Sequence, residues 1–99
     1  MNSESKFVEP PKMEFPNHDI TFLNQVTETV WQLFFKEGKL MVDVPNYSFQ
    51  IAPDNLNKFR PVNSLVNLEF EFEQPLKNHY FLMHIYAKGI KRATFKAIN

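Results

Sequence analysis

At 99 residues the chain is the length of one domain, and folding at this size buries about 60–65% of the surface that the unfolded chain exposes. Apolar residues make up 43% and charged residues 22%, as in globular chains, and the lack of cysteine excludes disulfides and thiolate metal sites. Eleven bases balance eleven acids, which argues against a general affinity for nucleic acid, and no apolar run approaches the roughly 20 residues that span a bilayer.

Residues 1–18 carry Pro10, Pro11 and Pro16 among scattered charges, which predicts an extended or flexible N-terminal arm, with a single domain over 19–99. Met1 to Ser5 are polar, acidic and not followed by an apolar stretch, unlike a signal peptide. Phe7, Val8, Met13 and Phe15 are more apolar than a solvated tail needs, so the arm is expected to lie along the domain or on a partner. From Asp19 the spacing of Phe22, Leu23, Val26, Val30, Leu33 and Phe34 fits one face of a helix. Asp19 or Thr21 would cap that helix, and Gly38 would end it. The β-branched Val26, Thr27, Thr29 and Val30 pull against this reading, and Val26, Val30 and Phe34 also match a period of two.

Strands are expected at 39–44 and 47–52, joined by a tight Pro45–Asn46 turn, followed by a loop or short helical turn that Pro61 closes. The clearest strand is 64–73, where Val66, Leu68, Phe70 and Phe72 alternate with Asn67, Glu69, Glu71 and Glu73. After a loop around Pro75, residues 79–88 are apolar on both faces, as a central strand would be. A turn at Gly89 leads into a last strand at 91–98. The expected fold is therefore α+β: one helix packed on an antiparallel meander of four to five strands. This order of elements resembles cystatin-like folds, where a helix nestles in a curved sheet. The Gln-Val-x-Ala-Gly hairpin of that family's inhibitors is missing, since residues 49–53 read Phe-Gln-Ile-Ala-Pro, and no inhibitory residues carry over.

Chemistry-bearing patterns are sparse. His79 and His84, five apart in one strand, face opposite ways and cannot share a metal ion, whereas His84 could sit opposite a glutamate of the preceding strand. Glu69, Glu71 and Glu73 form an acidic strand face. No glycine-rich phosphate loop or nucleophile elbow occurs, so neither catalytic residues, a metal nor a cofactor is expected.

Charge is unevenly spread: residues 77–99 hold Lys77, Lys88, Lys91, Arg92 and Lys96 and no acid. Fifteen aromatic rings also exceed what so small an interior needs, which predicts an exposed apolar patch or a homodimer interface. These features lead to the expectation of a small non-enzymatic protein-binding module: an adaptor, inhibitor or complex subunit that occludes or bridges a partner. Trp31, Phe35, Tyr47, Phe49 and Phe59 are its candidate contact residues. Nucleic-acid binding through Lys88, Lys91, Arg92 and Lys96 is the alternative. With no segment that resembles a signal peptide, no cysteine and no long apolar run, a soluble cytoplasmic location is the expectation, and the Phe-, Asn- and Lys-rich composition suggests a phage or mobile-element accessory protein.

Overall fold

In a computed structural model of the protein, residues 18–55, 58–74 and 81–98 are described. They contain no helix. Eight strands run in chain order: β1 (Ile20–Asn24), β2 (Thr29–Lys36), β3 (Lys39–Val44), β4 (Tyr47–Asn55), β5 (Lys58–Pro61), β6 (Glu69–Glu73), β7 (Leu82–Ala87) and β8 (Ile90–Ala97). Each pairs antiparallel with the next, and β1 pairs with β8, so the sheet closes into a barrel. The expected α+β fold, with a helix on an open sheet of four to five strands, is corrected by this arrangement, and the cystatin-like resemblance goes with it.

The helix expected from residue 19 to Gly38 is a β-hairpin. Ile20, Phe22 and Asn24 on β1 and Leu33 on β2 point inward and are buried. Register pairs such as Phe22↔Trp31 and Ile20↔Leu33 bring the two halves together. Alternation on two strands joined by a four-residue turn happens to imitate three-and-four spacing, because the turn shifts the parity. Exposure separates the readings: Val26, which a helix would bury, is 93% exposed at the turn. Asn24 shapes that turn, its Oδ1 accepting from the backbone N–H groups of Val26 (2.9 Å) and Thr27 (3.2 Å). Of the β-branched residues, Thr29 and Val30 begin β2 as strand propensity favours, while Val26 and Thr27 lie in the turn. Gly38 follows Glu37 in a two-residue hairpin turn with both φ angles positive, 54° and 76°, a conformation for which glycine is suited.

Two further segments depart from expectation. The loop expected after residue 52 is instead the end of β4 and the start of β5, which pair around an irregularity between Pro53 and Asn55. Proline is tolerated there because the ladder is already broken. The strand expected at 64–73 is ordered as a strand only at β6. Residues 62–68 cross one barrel end, with Val66 and Leu68 packed against the core. The N-terminal arm with its four apolar residues, the residues around Pro75, Lys77 and His79 all lie outside the described residues.

Inward side chains from around the barrel form the core: Ile20, Phe22, Leu33, Leu40, Val42, Phe49, Ile51, Phe70, Phe72, Met83, Ile85, Phe95 and Ala97, joined by Phe81 just before β7. An eight-stranded barrel has an interior just wide enough for side chains to fill or to hold one small ligand. Rings take up much of that space. Trp31 stacks on Phe95 with centroids 4.8 Å apart, Phe49 meets Phe70 at 5.9 Å, and Phe59 meets Phe72 edge-on at 5.3 Å. Such pairs contribute about 0.5–1.5 kcal/mol each beyond the area they bury. The sheet needs no helix to cover its apolar face because it covers that face with itself.

Candidate functional site

With apolar side chains turned inward, the polar and charged groups lie on the outside and at the ends. On the outer wall, β6 presents Glu69, Glu71 and Glu73, and each has a partner from a neighbouring strand. Arg60 on β5 donates to Glu69 (2.7 Å) and to Asp54 on β4 (2.7 Å). The Asp54 hydrogen bond, with Glu69's charge next in importance, holds the guanidinium pKa above its ordinary value. Tyr86 on β7 donates its hydroxyl to Glu71 (2.9 Å), and Lys58 lies over the Tyr86 ring at 3.9 Å. That hydrogen bond is the main reason the phenol pKa is raised. The partners of these glutamates come from β5 and β7.

His84 is buried although it points outward. Its Nε2 lies 2.9 Å from Glu73 Oε1 and its Nδ1 2.9 Å from Thr94 Oγ1. Carboxylate, imidazole and hydroxyl in series are the ingredients of nucleophile activation. None of the three lines the surface cleft between β5, β6 and β7. The trio instead fastens β6, β7 and β8 together. Among the described residues no group of three or more His, Asp or Glu side chains is placed to hold a metal ion.

The five aromatic candidates divide. Phe49 belongs to the core, and Trp31 and Phe59 pack against it. Phe35 and Tyr47 are 54% and 52% exposed, but at opposite ends of the barrel. No single patch unites the five. Of the basic candidates, Lys88, Lys91 and Arg92 are exposed together at the β7–β8 hairpin, while Lys96 lies farther along the outer wall, opposite Leu82. A register shift beside Tyr86 leaves Arg92 as an extra residue between Lys91 and Ala93, so both adjacent cations stay in solvent.

One end of the barrel stands out. In an up-and-down barrel the β1–β2, β3–β4, β5–β6 and β7–β8 connections share an end. Each carries a large apolar side chain in solvent: Val26 (93% exposed), Tyr47 at the start of β4, Leu65 (103%) and Ile90 at the start of β8 (55%). Val30 extends the apolar surface a short way along β2. Between the β5–β6 and β7–β8 connections is a cleft of about 90 Å³, lined by Arg60, Asn67, Leu68, Glu69, Tyr86, Lys88 and Gly89. Sequence reasoning did not single out Val26, Leu65 or Ile90 as surface residues, because it assigned Val26 to a helix face and residues 64–73 to one strand, whereas Asn67, read on the polar face of that strand, is exposed. The signal that could have found Val26 and Ile90 is the punctuation: Asn24 and Lys88–Gly89 mark hairpin turns at this end.

Comparisons with protein-family models, curated proteins and solved structures give no match. Fold and surface together define a closed β-barrel with an apolar, partly basic loop end.

Proposed function

We propose that the protein is a non-enzymatic protein-binding module, an adaptor, inhibitor or complex subunit, that docks through the loop end of its barrel. One observation carries this reading: all four connections at that end expose a large apolar side chain. Exposing such residues costs about 1.5–3 kcal/mol each relative to burying them, so four at one end favour association. Tyr47, from the sequence-based candidates, belongs to this surface. Because Leu65 and Ile90 have little or nothing to lose from the core, Leu65→Asp and Ile90→Asp should fold normally. The test is capture from the native cell extract with nuclease present. A single stoichiometric protein held by wild type and lost by both variants supports the module; equal capture by all three removes this surface from consideration.

Nucleic-acid binding is the second reading, favoured by the three exposed cations on one hairpin. Binding through about four phosphate contacts would weaken steeply with salt. Charge reversal at Arg92 and Lys96 that leaves oligonucleotide affinity unchanged eliminates it.

A further inference from the structure

The β7–β8 hairpin differs from the rest of the wall in its charge balance. On the wall, Lys58 and Arg60 are engaged, by Tyr86 and by Asp54 and Glu69. At the hairpin, Lys88, Lys91 and Arg92 are exposed and make no ion pair among the described residues. No acid occurs anywhere from Lys77 to Asn99. Three unpaired cations at the edge of an apolar surface repel one another until an anionic group arrives. The cleft lies at the same place, between Lys88–Gly89 and the 62–68 loop. Its acid, Glu69, is already bonded to Arg60, whereas Lys88 and the Asn67 amide are free to bind within the described residues. Leu65, two residues before Asn67, and Ile90, next to Gly89, are exposed.

We infer, on the protein-binding reading above, that the partner offers an acidic segment flanked by large apolar side chains. A carboxylate of that segment enters the cleft beside Lys88 and Asn67, and Leu65 and Ile90 take the apolar contacts. Charge complementarity selects this occupant over a neutral or basic one, since like charges facing each other are penalised. Polyphosphate strands would satisfy the cations but leave the four apolar tips without a partner.

The experiment is an NMR titration of the full ¹⁵N-labelled chain with two synthetic peptides of equal length and identical leucine and phenylalanine content. One carries glutamates and the other lysines; a single-stranded oligonucleotide and inorganic phosphate form the remaining arms. The expected result is shifts at Asn67, Lys88, Gly89 and Ile90 with the glutamate peptide alone. The triple variant Lys88→Glu, Lys91→Glu, Arg92→Glu should bind that peptide about tenfold more weakly, as three exposed pairs of modest strength imply. Equal shifts from both peptides overturn the acidic preference but leave the loop end as a binding surface. Silence from both peptides overturns the inference, while the capture experiment decides the parent reading separately. Shifts from the oligonucleotide alone overturn both, and equal shifts from phosphate reduce the cleft to a general anion site.

Discussion

Phe70 has no solvent exposure and touches the rings of Phe49 and Trp31, whereas Leu65 is fully exposed. Truncation of the two should therefore differ sharply. Phe70→Ala should cost about 3–5 kcal/mol, enough to unfold much of a domain whose total stability is about 5–15 kcal/mol. Leu65→Ser should stay within about 0.5 kcal/mol. Denaturant melts of the two variants check this. Trp31→Ala belongs with Phe70, because it leaves Phe95 without its stacking partner, and a lost interaction in that variant would report unfolding rather than a broken contact. Tyr86 adds a pH signature. Its folded pKa lies above the ordinary phenol value because Glu71 accepts its hydrogen bond. The stabilisation is complete below the unfolded-state value near pH ~10 and is lost as pH rises through the folded value. Alkaline melts should show a stability loss that is smaller in Tyr86→Phe, together with a late phenolate transition that this variant lacks.

At the scale of elements, turns decide more than strands do. Glu37–Gly38 and Lys88–Gly89 both take positive φ at two successive residues, the geometry that two-residue hairpins need. A methyl group on Gly38 or Gly89 would meet no atom within 4 Å, so substitution there isolates backbone strain from crowding. Gly89→Ala should cost about 1 kcal/mol, and Lys88→Asn should be close to neutral, because asparagine accepts this conformation. Thermal melts of the pair distinguish turn strain from packing. The turn at Gly89 was legible in the sequence, as were the strands Lys39–Val44 and Leu82–Ala87 and the inward set Phe70, Phe72, Ala93, Phe95 and Ala97, whereas Gly38 was read as the end of a helix. The first hairpin was not legible, because its apolar residues satisfy two periodicities at once and only tertiary burial chooses between them. The same ambiguity hid Val26. Leu65 was lost for another reason: alternation from Val66 to Phe72 continues smoothly through a segment whose backbone crosses the barrel end instead of joining the sheet. The exposed cations of the β7–β8 hairpin were visible as a run of charge, whereas their nearness to the cleft depended on Asn67 and Arg60 from distant parts of the chain.

For the whole molecule, closure replaces the missing helix. An open sheet of this sequence would leave an apolar face and two hydrogen-bonding edges in water, and the barrel removes both. Seven of the eight strand pairs join neighbours in sequence. The eighth, β1 with β8, has only two register pairs, Phe22↔Ala97 and Leu23↔Lys96, with one further hydrogen bond from Ile98 N–H to the Thr21 carbonyl at 2.8 Å. β5 with β6 is equally short at Lys58↔Glu71 and Phe59↔Phe70, but there Arg60–Glu69 and the Lys58–Tyr86–Glu71 contacts brace the wall. Amide hydrogen exchange should accordingly be faster at Leu23 and Ile98, whose N–H groups face the seam, than at Met83 or Ile85, and uniform protection around the barrel would count against this seam as the weaker one.

That seam also sets the order in which the protein can form. Hairpin after hairpin can zip along the chain at little loop-closure cost, each about as fast as an isolated hairpin. The β1–β8 pairing comes at the far end of that process, since it must bring opposite ends of the described chain together before its few hydrogen bonds repay the lost entropy. Until then both outer strands remain unpaired templates. A newly made chain is therefore most vulnerable to joining another copy of itself in the interval between completing β8 and closing the ring.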